Sequence, residues 1–143
     1  QQHKELLPDE IYNIFNENYV NLSDPLEFVK YDYTEKEDVY ETAVTVLQNG
    51  QQSEWAGKGN GRLDAISNSL QQQLGIVYTD LIYKEHALEK GSDAQAVSYI
   101  GITDPNGKQH WGCGIDKDIM RASIRSLFSA VNHMLLELGA DHK

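Results

Sequence analysis

The chain is poor in three things that each define a class of protein. Its single cysteine, Cys113, has no partner within the chain, so no disulfide framework organises it. Basic residues are scarce and scattered. The 12 Lys and Arg stand against 22 Asp and Glu, a formal charge of −10 with no basic cluster. Nucleic acid and anionic membranes both demand grouped cations, so neither is expected as a partner. No apolar run has signal-peptide or membrane-spanning character, which leads to the expectation of a soluble, cytoplasmic protein. The start at Gln1, without Met, suggests a fragment of something longer.

Catalytic constellations are missing too. The histidines, His3, His86, His110, His133 and His142, show no His-x-x-x-His or Cys/His zinc spacing with acidic partners, and no metal site is expected. Glu85 and His86 are adjacent, and adjacent side chains on a strand point to opposite faces, which favours a packed histidine over an acid/base pair. Cys113 between Gly112 and Gly114 reads as a small buried residue without an activating partner. Ser67, Ser69, Ser123, Ser126 and Ser129 lie on helical stretches without a nucleophile-elbow context. No catalytic residue is expected.

What is present is an internal repeat. Trp55-Ala56-Gly57-Lys58-Gly59-Asn60-Gly61 ends a strand-like run and opens a helix-like one, and His110-Trp111-Gly112-Cys113-Gly114-Ile115-Asp116 repeats the arrangement. Between them the pattern is legible element by element. Leu26 to Tyr33 and Val39 to Leu47 are rich in Val, Thr and Tyr and flank the charged turn Thr34 to Asp38. Asn49-Gly50 supplies a tight hairpin turn into a third strand, Gln51 to Ala56. The helix after Gly61 carries Leu63, Ile66, Leu70 and Leu74 on one stripe, with Ser67, Asn68, Gln71 and Gln72 facing away, and stops at Gly75.

The second unit runs from Ile76 through Tyr83, turns near Gly91-Ser92-Asp93, continues as a strand from Ala94 to Thr103, and turns again at Asp104-Pro105-Asn106-Gly107. Lys108 to Gly112 is its short third strand. Asp116 is expected to cap the last helix, with Asp118 near its positive end and a stripe of Ile119, Ile124, Leu127, Phe128, Val131, Leu135 and Leu138. The fold class is therefore α+β: two βββα units related by approximate twofold symmetry, with antiparallel sheets and helices packed on one side. The units should form one globule, because one such layer buries too little apolar surface alone. Residues 1–24 are expected to be a helical arm, with Pro8 and Asp9 as its start signal and Ser23-Asp24-Pro25 as its break. Residues 25–138 form the domain and 139–143 a tail.

The glycine turn admits two readings. Its free N–H groups and the helix dipole suit a carboxylate or phosphate, while the glycines equally permit a tight turn and close packing. It is neither a P-loop, lacking Gly-Lys-Ser/Thr, nor a dinucleotide fingerprint. Asp64 in the first helical turn and Asp80 are the carboxylates best placed for an ammonium group.

Several of these stretches carry a family resemblance. Gly59-Asn60-Gly61-Arg62-Leu63-Asp64-Ala65, Tyr83-Lys84-Glu85-His86-Ala87, Gly91-Ser92-Asp93-Ala94-Gln95-Ala96, and Gly112-Cys113-Gly114 with Asp118 to Ser123 and Ala130-Val131-Asn132 resemble the C-terminal regulatory domain of 2-isopropylmalate synthase. The match spans about Leu26 to Asn132, and the arm looks like the end of the linker subdomain.

The resemblance implies a homodimeric domain that binds L-leucine and feeds back on a TIM-barrel domain of the same polypeptide. That barrel condenses acetyl-CoA with 2-oxoisovalerate using a divalent metal ion, and this chain would carry neither cofactor nor catalysis itself. By resemblance the effector-binding residues are Gly59, Asn60, Gly61, Leu63, Asp64, Asp80, Tyr83, Ala87, Ala94 and Ala96. The alanines leave room for a branched side chain. Arg62 departs from the proline of many members, and Asp80 from the apolar residue of some. The alternatives are the isoleucine-binding domain of citramalate synthase and a purely structural dimerisation module.

Overall fold

The computed structural model describes residues 20–88 and 95–141. The expected helical arm therefore lies outside the described residues up to residue 19, and its last five residues, 20–24, are described and not helical; the Gly91-Ser92-Asp93 turn and Ala94 also lie outside them. Six strands and two helices follow in the order β1 (Leu26–Lys36), β2 (Val39–Gln48), β3 (Gln51–Gly59), α1 (Arg62–Leu74), β4 (Thr79–Leu88), β5 (Gln95–Thr103), β6 (Gln109–Asp116) and α2 (Ile119–Asp141). They make two antiparallel meanders, β1-β2-β3 and β4-β5-β6, each followed by its helix. The βββα repeat is thus the architecture of the chain.

Several boundaries differ from the sequence reading, each for a local reason. The first hairpin turns on Glu37 and Asp38 alone, both with positive φ (53° and 67°), so Thr34 to Lys36 remain paired in β1. Two consecutive left-handed residues make the tight hairpin geometry that usually calls for Asn-Gly, which the Asn49-Gly50 turn does use. In the third strand, Gly57 to Gly59 stay in the ladder opposite Thr42, Glu41 and Tyr40, so the turn proper shrinks to Asn60 and Gly61. The last strand likewise runs on to Asp116. The N-cap of α2 is Asp118, whose Oδ2 accepts from the Arg121 N–H at 2.9 Å. Asp116 instead closes the strand and holds Arg125 at 3.1 Å.

The glycine pairs remain in strands because helices lie directly on them. A Cβ on Gly57 would collide with the Ala65 carbonyl and sit 2.8 Å from Ser69 Cβ. One on Gly112 would strike the Ser126 carbonyl and the Ala130 N–H, and one on Gly114 the Ala122 carbonyl. Each helix presents a small-residue stripe, Ala65 and Ser69 on α1 and Ala122, Ser126 and Ala130 on α2. Backbone thus meets backbone at both places. Close packing accounts for these glycines.

One hydrophobic core joins the units. It draws Leu26 and Phe28 from β1, Val44 and Val46 from β2, and Ile66 and Leu70 from α1. From the second unit it takes Ile100, Ile102, Ile124, Leu127, Phe128 and Val131. On α1, Ser67 is buried rather than solvent-facing, because its hydroxyl shares a 2.6 Å hydrogen bond with the buried Tyr78 phenol. On α2, Ile119 is exposed and Met134 takes a core position, so the stripe starts later than its spacing suggests. A smaller cluster of Val97, Tyr99 and Cys113 lies apart from this core, covered in part by Val20. The segment at Val20 and Asn21 docks along β6, with the Asn21 N–H on the Cys113 carbonyl at 2.8 Å.

Candidate functional site

The β3–α1 junction is built to leave a helix start open. Gly61 is the N-cap in an extended conformation (φ −158°) and supplies no side-chain cap, so the donors of the first turn receive no capping oxygen. That conformation suits any residue and a Cβ there would meet nothing within 4 Å, so a side chain at Gly61 brings no strain. Asp64 Oδ2 accepts the Asn60 N–H at 2.9 Å, folding the turn back on the helix, and a Cβ on Gly59 would collide with that same carboxylate oxygen. Leu63 is half-buried against the core. Arg62 takes part in this frame too: its guanidinium donates to the Tyr31 hydroxyl at 3.1 Å and lies 4.7 Å from the Tyr33 ring centroid. Those aromatic contacts give a reason for arginine at this position.

The remaining expected site residues stand on the second sheet. The Tyr83 hydroxyl shares a 2.8 Å hydrogen bond with Ser123 of α2. Ala87 and Ala96 are direct partners across the β4–β5 ladder, and Asp80 lies where that ladder slips register between Thr79 and Ile82. β4 packs on β5, and neither β3 nor α1 is a substantial neighbour. The fold therefore sorts the nine described members of this set into a turn group, Gly59, Asn60, Gly61, Leu63 and Asp64, and a strand group, Asp80, Tyr83, Ala87 and Ala96, on different layers. β4 is also an edge strand with Leu81, Ile82 and Tyr83 exposed. A cleft of about 630 Å³ opens between the first sheet and α1, lined by Tyr33, Thr42, Gly57, Lys58, Asn68 and Gln72 among others, and includes none of these nine described residues.

A polar group that spacing did not reveal gathers where β6 meets α2. His110, the second residue of β6, is 1 % exposed, and its Nε2 lies 2.8 Å from Asp104 Oδ2. Asp104 is engaged on its other oxygen by the Asn106 and Lys108 N–H groups at 2.8 and 3.0 Å, and the bond to His110 holds its carboxyl below the usual range. His110 Nδ1 is buried without a hydrogen-bond partner and lies 3.5 Å from Glu137 Oε1. His133 Nε2 sits 3.1 Å from Glu137 Oε2, one helical turn away, and burial pushes the His133 imidazole down in pKa. Lys108 pairs with Glu137 at 2.7 Å and lowers its pKa. The His133-x-x-x-Glu137 spacing on one helix face was the available signal. The third member comes from a strand 23 residues earlier in the chain, counting from 110 to 133, which only the fold brings near.

Cys113 is buried, its thiol pushed up to about 12 by that burial, and no base among the described residues is bonded to it. No helix among the described residues is long and apolar enough to cross a membrane.

Comparison with known proteins fits this architecture. The chain is 51% identical over 138 residues, 96% of its length, to a 2-isopropylmalate synthase of Desulfitobacterium hafniense, of which it covers 25%. It is 42% identical over 141 residues to the 2-isopropylmalate synthase of Helicobacter hepaticus, covering 93% of this chain and 25% of that protein. With the same enzyme of Mycobacterium leprae the identity is 37% over 134 residues, 92% of this chain and 22% of the relative. The chain thus spans about a quarter of the length of the curated relatives it matches. The family model for the LeuA allosteric (dimerisation) domain matches residues 5–135, nearly the whole chain, and the protein belongs to that family.

Proposed function

We propose that this chain is the leucine-sensing, dimerising module of a 2-isopropylmalate synthase, acting by feedback on a TIM-barrel domain of the same polypeptide. That barrel would condense acetyl-CoA with 2-oxoisovalerate at a divalent metal, and the module would take no part in the chemistry. The observation that carries the reading is the uncapped start of α1 beside Asp64, in a chain of this family. A free amino acid offers a carboxylate for the first-turn N–H groups, an ammonium for a carboxylate and an apolar tail for a small-residue wall. The turn group supplies the donors for the carboxylate, and Asp64 of that group or Asp80 of the strand group accepts the ammonium. Tyr83, Ala87, Ala94 and Ala96 supply the wall.

Because these groups stand on different layers of one chain, the wall belongs at the contact between two copies. The exposed edge strand β4, with Leu81 and Ile82, is the surface that suits that contact. The apolar stripe of α2 is largely consumed within the chain, so β4 carries the dimer argument. Burying the leucine side chain contributes roughly 2 kcal/mol, and a displaced methyl discriminates by about 1–3 kcal/mol, so leucine is preferred over isoleucine without excluding it.

Calorimetry with leucine and isoleucine tests the reading. Gly61→Ser adds the missing cap, which competes for the same donors, and Ala94→Val fills the wall; both should weaken leucine binding while the protein stays folded. In the whole enzyme Ala94→Val should relieve inhibition and leave uninhibited turnover nearly intact. Unchanged leucine affinity in both variants removes this pocket. A second reading, a structural dimerisation module alone, is favoured by the packing role of Gly57, Gly112 and Gly114. It predicts no heat with either amino acid and a dimer, lost in Ile82→Lys, by sedimentation.

A further inference from the structure

We propose that His110, His133 and Glu137 form a binding site for a borderline divalent cation of the zinc class, separate from the leucine pocket and independent of it. Three observations converge. The first is ligand chemistry: two imidazoles and one carboxylate, with candidate donor atoms all within 4.8 Å of one another, are a common donor set for zinc with one position open. The second is spacing. The Glu137 carboxylate stands between the two imidazoles, with Oε1 3.5 Å from His110 Nδ1 and Oε2 3.1 Å from His133 Nε2, so a small turn of that side chain brings one oxygen to the about 3.4 Å that ligand bonds of about 2.0–2.2 Å at tetrahedral angles put between donors.

The third is the buried, unpartnered Nδ1 of His110. Nε2 is engaged by Asp104, and Nδ1, which has no hydrogen-bond partner, faces a carboxylate oxygen of Glu137 at 3.5 Å. The Asp104–His110 bond is itself the outer-shell arrangement that orients a metal-binding imidazole and fixes its tautomer. Asp104 is in turn held by two backbone N–H groups, so the ring is set from behind. Lys108, largely exposed at 61%, places its ammonium on Glu137 and can swing clear when a metal takes that carboxylate.

The test uses Zn(II) and Co(II) on the purified protein. One Zn(II) per chain by calorimetry and the visible bands of tetrahedral Co(II) are expected. His133→Gln and Glu137→Gln should each lose more affinity than the about 10- to 100-fold that an outer-shell change such as Asp104→Asn brings. Lys108→Met should tighten binding, since it removes the competing cation, an outcome a merely structural cluster does not produce. Replacing His3, His86 and His142 together with glutamine should leave affinity unchanged. The site is overturned if folded protein shows no saturable Zn(II) binding, if His133→Gln and Glu137→Gln bind as the parent does, or if the triple replacement abolishes binding.

Discussion

The carboxamide of Asn132 in α2 clamps both backbone groups of Leu26 at the start of β1. Its Oδ1 accepts the Leu26 N–H at 3.0 Å, and its Nδ2 donates to the Leu26 carbonyl at 2.7 Å and the Leu22 carbonyl at 2.8 Å. Asn132 is fully buried, so these bonds replace water for the strand that enters the first sheet. One side chain of the second unit thereby completes the backbone of the first.

Asn132→Ala should therefore cost about 3 kcal/mol, because it strands one buried N–H and leaves carbonyls short of a donor. Asn132→Asp should be no better, since a buried carboxylate cannot donate to the two carbonyls. Urea denaturation gives the measurement. A loss under 1 kcal/mol would mean that water replaces the clamp.

Gly112→Ala should destabilise by about 2–3 kcal/mol or more, because the added carbon meets helix backbone rather than a yielding side chain. Gly139→Ala is the control: a Cβ there meets nothing within 4 Å, and the helix-propensity gain of up to about 1 kcal/mol should make it neutral or stabilising. Equal effects of the two on the melting temperature would contradict the close-approach account.

Stability should fall in two stages on acidification. The pKa of His133 is lowered by burial in the folded chain, so the unfolded chain takes up the proton first and stability declines as pH drops through the ordinary histidine value of about 6.5. Glu137 opposes this shift, while His110 and Lys108 reinforce it. Asp104, lowered by His110, and Glu137, lowered by Lys108, contribute stability that is present above the ordinary carboxylate range and lost as pH falls through their depressed values. Melting temperatures across that range check the signs. His133→Gln should remove the upper stage and leave the lower one.

Cys113 should resist alkylation in the folded protein, since the thiolate is the reactive form and burial pushes this thiol up to about 12. Labelling at neutral pH should track unfolding across a denaturant titration. Rapid labelling without denaturant would show that the β6 edge opens locally.

The glycine-pair repeat, the Asn49-Gly50 and Asp104-to-Gly107 turns and the Gly75 stop were legible in the chain because each is a local backbone requirement written in one to four adjacent residues. Hydrophobic periodicity likewise marked most of the α2 stripe. The turn at Glu37 and Asp38 was not legible, since neither residue announces a left-handed conformation and the strand pairing imposes it. Ser67 looked solvent-facing until Tyr78 closed over it. The sorting of the candidate pocket into a turn group and a strand group was decided by tertiary structure, because sheet pairing and layer packing are not encoded in the order of motifs.

The same holds for the two most consequential polar arrangements. Asn132 meets Leu26 across 106 residues, and His110 meets Glu137 across a strand-to-helix contact. A local pattern fixes the conformation of neighbouring backbone, which a sequence displays directly. Satisfaction of a buried donor or the meeting of three ligand side chains depends on which surfaces pack together, and that is settled only when the two βββα units close on one core.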